Sequence, residues 1–161
     1  MDLSMLELSD QEIARRNSLN ELRSLGINPY PAAEYQVTAY AQEIINSYPE
    51  GNEEREALLR EQRVRLAGRI MGRRIMGKAS FVELADSTGR IQIYITRDSI
   101  ADGENTDLYN IVFKKCLDIG DFIGVEGYVF KTQTGEVSVH ALSLTVLSKS
   151  LRPLPIVKEK D

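Results

Sequence analysis

The sequence predicts a mainly β domain with helices. Five strands and one helix follow the order β-β-β-α-β-β, rolled into a small, partly closed barrel behind an N-terminal helical extension. Three observations carry that expectation. From Arg63 onward the apolar period changes to two, the spacing of strands. The first of these segments, "RVRLAGRIMGRRIMG", is long and is interrupted by Gly68 and Gly72. Glycines inside a strand mark a bend or bulge, and a bend lets one strand serve both halves of a closed sheet. Finally, the helical segment "NTDLYNIVFKKCLD" falls between the third and fourth strands, where it plugs the end of a five-stranded barrel of the OB type. A β-sandwich would give that helix no natural place.

The elements follow in chain order. Residues 9–25 read as a helix: Ser9 and Glu12 have capping-box spacing, Leu19, Leu22 and Leu25 form an apolar stripe, and Gly26 is a stop. Arg16, Asn20 and Arg23 share another face, read as solvated. "GINPYP" then breaks the helix with two prolines. Residues 38–47 read as a second short helix, ended before Pro49, and "PEGNEEREALLREQ" as a polar connection with some helical character. "ASFVELAD" and "RIQIYIT" are the second and third strands, with "STG" turning between them. "DFIGVEGYVFKTQ" and "EVSVHALSLTVLS" are the fourth and fifth, joined by "TQTGE". The chain thus divides into a helical extension at 1–60, a barrel at 61–149 and a tail at 150–161.

Composition bounds the function. The content is 42% hydrophobic and 27% charged, ordinary for a soluble globular protein. No apolar run approaches the ~20 residues needed to span a bilayer. The acidic N-terminus lacks the basic region of a secretion signal. The single cysteine, Cys116, rules out an intramolecular disulfide and fits a reducing cytoplasm. A net charge of −4 argues against coating by nucleic acid, but the distribution is uneven. Between Arg60 and Ser80 stand Arg60, Arg63, Arg65, Arg69, Arg73, Arg74 and Lys78, against the one acid Glu61. Such a focused patch attracts a polyanion locally. Charge that guards an edge strand is the competing reading.

Parity within the second and third strands sharpens this. Ile91, Ile93 and Ile95 share one face and must be the buried set, and antiparallel pairing places Val82 and Leu84 with them. Phe81, Glu83, Gln92 and Tyr94 are left on the outer face. An aromatic outside forgoes roughly 1.5–3 kcal/mol of burial. Phe81 either docks under the N-terminal helices or offers a ring on which a splayed base can stack. The outer face of these strands, with the first and last hairpin loops, is where OB-folds bind oligonucleotides. Here those loops are "MGK" and "TQTGE". Gln92 can donate to and accept from a base edge. Glu136 either accepts from a base N–H or is a solvated turn residue. A ring, an amide, a carboxylate and arginines together suit unstacked single-stranded RNA, and uracil suits a site with both donors and acceptors.

The segments "RRIMGKASFVELADSTGRIQIYI", "GDFIGVEGYVFKTQTGEVSVH" and "LRPLP" closely resemble the N-terminal anticodon-binding domain of bacterial-type class II lysyl-tRNA synthetases. The resemblance runs from about Ser9 to Pro155, and "GINPYP" matches it too. It implies that Phe81 stacks on the central uridine of the lysine anticodon, that Gln92 hydrogen-bonds that uridine and that Arg74 contacts it. Glu136 would lie beside the first anticodon base. Arg69 and Lys78, in the same strand and loop, extend the expected anticodon-binding set. The partner implied is the tRNA-Lys anticodon loop, with no membrane involved. The family's catalytic domain would begin after "LRPLP", where this chain closes with "IVKEKD", so residues 150–161 read as a linker toward an absent domain. The chain is expected to be an inactive fragment with no catalytic residue, metal or cofactor. The full-length enzyme the resemblance implies is a cytoplasmic homodimer that attaches lysine to tRNA using ATP and Mg²⁺. Two other functions compete: a generic single-strand-binding OB module, and a structural or dimerisation domain whose outer face is covered.

Three further residue sets suggest chemistry at first sight. His140, the only histidine, shares a strand face with Ser138 and Leu142 and reads as structural, since no ligand set surrounds it for zinc. Cys116 follows Lys114 and Lys115 without an activating base and reads as a packed thiol. Glu83 and Glu126 have no cleft between them and do not form an acid/base pair.

Overall fold

The barrel closes because one strand changes partners midway. In the computed structural model, which describes residues 10–25 and 35–150, β1 (Val64–Met76) pairs antiparallel with β4 (Phe122–Lys131) through its first half. Its second half pairs antiparallel with β2 (Ala79–Ala85). β3 (Arg90–Thr96) and β5 (Val137–Ser148) complete a closed barrel in the order β1-β2-β3-β5-β4, with β3 and β5 parallel. The close approach falls at Gly68, where a Cβ would lie 2.5 Å from the Ala85 carbonyl oxygen, so the bend admits only glycine.

Three residues later the register shifts. Ile70 stands opposite Leu84, but Gly72 stands opposite Glu83, leaving Met71 as the extra residue of a bulge. Strict alternation from Ile70 would turn Arg74 inward. The bulge reverses the parity, so Arg74 stands opposite Phe81 and Arg73 opposite Val82. The alternation read for β2 and β3 holds in space. Val82, Leu84, Ile91, Ile93 and Ile95 are buried in the core with Leu66, Ile70, Val125 and Val139.

The helix between β3 and β4 spans Leu108–Cys116 and is wound as a π-helix; its closing bond runs from the Leu117 N–H to the Val112 carbonyl, 3.0 Å. Tyr109 and Phe113 stack at 5.6 Å and fill the end of the barrel. The buried Tyr109 hydroxyl is satisfied by the Gly77 carbonyl and the Ser80 hydroxyl, both at 2.8 Å. Cys116 is buried in this plug. Burial, then the Glu21 carboxylate, pushes its thiol up to about 11, which removes the thiolate a nucleophile needs.

The extension differs from the sequence reading in three places. In α1 (Asp10–Ser24), Leu19 and Leu22 are buried but Leu25 is 42% exposed, because the helix has ended before it. Arg15 takes a buried place instead, its guanidinium donating to the Ser150 carbonyl at 3.5 Å. The segment read as a polar connection forms a full helix, α3 (Glu53–Glu61), started by Asn52, whose side chain accepts from the Arg55 N–H at 3.1 Å. The second helix, α2 (Ala41–Ser47), begins at residue 41 because Thr38 and Ala39 remain extended, donating to the Arg65 carbonyl at 2.9 and 3.2 Å. Arg16, Asn20 and Arg23 are exposed. Ser9, Gly26, "GINPYP" and the tail from residue 151 lie outside the described residues.

α2 is capped from a distance. Asp86, in the β2–β3 turn, accepts from the Ala41 N–H at 2.7 Å, and Thr88 accepts from the Gln42 N–H at 3.1 Å. Burial alone would raise the Asp86 pKa. The bonds from the Thr88 hydroxyl and the Ala41, Thr88 and Gly89 N–H groups outweigh it, and the net direction is down. A depressed carboxylate stabilises the fold above its unfolded pKa of about 3.9, and that contribution is lost as pH falls through the folded value. Asp86→Ala is therefore expected to destabilise the chain by about 1 kcal/mol at pH 7, the usual worth of a lost cap. Urea unfolding at pH 7 and pH 3 checks this: the difference from wild type should shrink in acid.

Candidate nucleic-acid interface

Pairing of β2 with β3 sets Phe81 opposite Tyr94 and Glu83 opposite Gln92, on the outer face of the barrel. Beside them lies a groove of about 650 Å³, lined by residues of β1, β2, β3 and the β4–β5 turn. Arg74, Phe81, Gln92 and Glu136 all line it, joined by Glu83, Arg90, Thr132 and Thr134. No described residue of the helical extension is part of that lining. Among the described residues, Phe81 is not docked beneath the extension, one of the two readings of its place on the outer face. α1 instead packs on the barrel helix, α3 on β4 and α2 against the β2–β3 turn.

Each groove residue has a distinct local cause. Phe81 lies with its ring centroid 5.1 Å from that of Tyr94, tilted by 37°. Tyr94 in turn meets the edge of His140 at 5.0 Å, and His140 meets Tyr128 at 5.0 Å. Phe81 thus ends a row of rings that crosses β2, β3, β5 and β4, which fixes its orientation against the sheet. Arg74 is exposed, carried to this face by the bulge. Glu136 follows Gly135, whose φ of 92° closes the turn with a 2.9 Å bond from its N–H to the Thr132 carbonyl. The Glu136 N–H donates to the Thr132 hydroxyl at 3.0 Å, leaving an exposed carboxylate at the groove wall. Gln92 accepts a bond from the Ser138 hydroxyl at 2.9 Å. Glu83 accepts from Arg90 at 3.0 Å, an exposed pair worth well under ~1 kcal/mol.

Two expected members stand elsewhere. Arg69 precedes the bulge, so it faces a second cavity of about 500 Å³, with its guanidinium 4.7 Å from the Phe122 ring centroid. The expectation that it joins Arg74 rested on their sharing one basic strand, but Arg69 lies in the half of β1 that pairs with β4, away from the groove. Lys78 is exposed at the β1–β2 turn and does not line the groove. The basic run as a whole does not form one patch. Arg73 borders the groove, but its guanidinium turns to the barrel end, where it donates to the carbonyls of Phe113, at 3.0 Å, and Leu117, and lies 3.6 Å from Asp118. Arg65 lies 4.6 Å from the Tyr35 ring centroid and 3.7 Å from Glu126. Arg90, Glu83 and the two threonines went unassigned in the sequence; the pairing of Glu83 with Gln92 was the available signal.

His140 holds its place through both ring nitrogens. Nε2 is 2.9 Å from the Ser99 hydroxyl, and Nδ1 is 2.7 Å from the Tyr128 hydroxyl. The Ser99 hydroxyl also accepts from Thr96 at 2.6 Å, so both ring nitrogens are held by hydroxyls that are themselves fixed on the barrel. Burial lowers the His140 pKa, which keeps the ring neutral. The expected structural role therefore has a specific content: His140 braces the row of rings behind Phe81. Glu83 and Glu126 pair with different arginines on different strands.

A family model described as an OB-fold nucleic acid binding domain, of the tRNA anti-codon type, matches residues 64–147. The chain is 62% identical over 159 residues to a lysine--tRNA ligase of Porphyromonas gingivalis, covering 99% of this chain and 27% of that protein. It is 64% identical over 154 residues to the lysine--tRNA ligase of Azobacteroides pseudotrichonymphae, covering 96% and 29%. For the lysine--tRNA ligase of Christiangramia forsetii the values are 50% over 154 residues, 96% and 25%. The chain spans roughly a quarter of the length of these curated relatives. A closed five-stranded barrel in this order, with a family match running through all five strands, leads to one placement: the chain belongs to the OB-fold nucleic acid binding domains of the tRNA anticodon type.

Proposed function

We propose that this chain is the anticodon-reading module of a lysine--tRNA ligase and that its groove takes unstacked bases of a U-rich lysine anticodon. The observation that carries the reading is the convergence of Arg74, Phe81, Gln92 and Glu136 on one groove of a barrel whose relatives are lysine--tRNA ligases. Phe81 supplies the stacking surface for the central uridine. The Gln92 amide reads its edge, Arg74 holds the base or its phosphate, and Glu136 accepts from the first anticodon base. Lys78, at the turn beside the groove, adds attraction for the backbone of the loop.

In this reading the barrel at 61–149 is the binding unit, with 1–60 as its helical extension and 150–161 leading toward a catalytic domain. The whole enzyme would be a cytoplasmic homodimer that activates lysine with ATP and Mg²⁺ and esterifies tRNA-Lys; this chain contributes recognition. Titration of the 161-residue chain with a UUU-loop RNA hairpin and its AAA-loop counterpart, at fixed salt, tests the proposal. The UUU loop should bind at least about fivefold more tightly, since a lost edge-reading contact is worth about 1–3 kcal/mol. Equal affinity with a steep salt slope would identify a generic single-strand binder instead.

A further inference from the structure

Ser138 is fully buried, yet it belongs to the outer face of the barrel. Its register explains this. Ser138 lies opposite Gln92 on one side and Phe130 on the other, so their side chains roof it. Its hydroxyl donates to Gln92 Oε1 at 2.9 Å; a longer contact of 3.3 Å reaches the Glu136 carbonyl. Among the described residues, Gln92 Nε2 has no protein partner. A glutamine amide has one acceptor end and one donor end, and turning it by half exchanges them. A hydroxyl that occupies the acceptor end leaves the N–H groups for whatever lies in the groove.

The geometry points to Ser138 as a positioning residue that sets base specificity. It never touches the RNA; it fixes which end of Gln92 the RNA meets. An outward NH₂ pairs with a carbonyl oxygen, such as O4 of uracil. Facing the exocyclic amino group of cytosine it meets donor with donor, and such a mismatch leaves buried polar groups unpaired. The inference rests on the anticodon reading above. It adds that discrimination of uracil from cytosine at the Gln92 position depends on a residue one layer beneath the groove.

The experiment compares hairpins with UUU and UCU loops at one salt concentration, using wild type, Ser138→Ala, Gln92→Ala and the double variant. Wild type should favour UUU. Ser138→Ala should keep its UUU affinity within about threefold while the UUU/UCU ratio falls roughly 3–10-fold, the worth of one oriented hydrogen bond. In the Gln92→Ala background the same serine change should leave the ratio unmoved, which a general loosening of β5 would not do. A wild-type ratio retained in Ser138→Ala, or an equal drop in the Gln92→Ala background, overturns the inference while leaving anticodon binding intact. Failure of wild type to bind either hairpin overturns both. Thermal unfolding of Ser138→Ala confirms that the ratio is read from folded protein.

Discussion

Phe81→Ala should weaken binding of a UUU-loop hairpin by about 1–3 kcal/mol, roughly 5- to 150-fold, with little change in the salt dependence. The reasoning is local. Phe81 lines the groove beside Arg74 and Gln92, and its ring packs against Tyr94 at 5.1 Å. Its truncation removes a stacking face while the charges that attract phosphate remain. Phe81→Tyr keeps a flat ring and should keep most of the affinity. Fluorescence anisotropy with labelled hairpins at three salt concentrations reads both quantities. Unchanged affinity in Phe81→Ala would mean that the bases lie elsewhere on the barrel.

The largest loss of stability is expected from a residue far from this groove. Lys149 and Asp121 are both buried, with Nζ 2.7 Å from one Asp121 oxygen and 3.0 Å from Asp118. The same Asp121 carboxylate accepts the N–H groups of Asp118, at 2.8 Å, and Ser150, at 2.7 Å. The Asp121 backbone carbonyl accepts the Ile70 N–H at 2.8 Å. The cluster therefore joins β1, the start of β4 and the chain leaving β5. Lys149→Met leaves a buried carboxylate without its cation, a change that costs about 3–5 kcal/mol.

Burial is the chief cause of the raised pKa of Asp121, opposed by the bond and the charge of Lys149. Loss of the lysine raises it further. A carboxylate whose folded pKa exceeds its unfolded one loses stability as pH rises through the folded value, so the variant should be most impaired at neutral pH. Its deficit should narrow toward pH 4, near the unfolded pKa of about 3.9, as Asp121 protonates. Urea unfolding at pH 7 and pH 4 measures both numbers. A deficit that stays constant with pH would show that lost packing, not the stranded charge, is the cause. Adding Asp121→Asn should recover part of the loss at pH 7.

The two predictions draw on different kinds of information. The place of Phe81 and Gln92 on the outer face, where both are half-buried, was legible in the sequence because three alternating isoleucines admit only one buried face, and antiparallel pairing transfers that choice to β2. Neither the Lys149 cluster nor the Ser138 contact has such a signature. Their partners lie 28 to 46 residues away in the chain and meet only when the barrel closes.

The same division runs through the arginines. Composition and spacing marked residues 60–78 as basic but could not say where each side chain goes. One extra residue, Met71, sends Arg74 to the groove, turns Arg73 onto the carbonyls of the barrel helix and leaves Arg69 against Phe122. A bulge of this kind is decided by how the two halves of β1 meet β4 and β2, not by the local pattern of apolar residues.

Sequence alone determined the order of elements along the chain, the buried face of β2 and β3 and the residue types on their outer face, because periodicity and turn chemistry are local properties. Tertiary structure decided where each arginine side chain goes, which end of Gln92 faces the groove and what braces Phe81. Those choices depend on register and on contacts between distant strands, which exist only in the closed barrel.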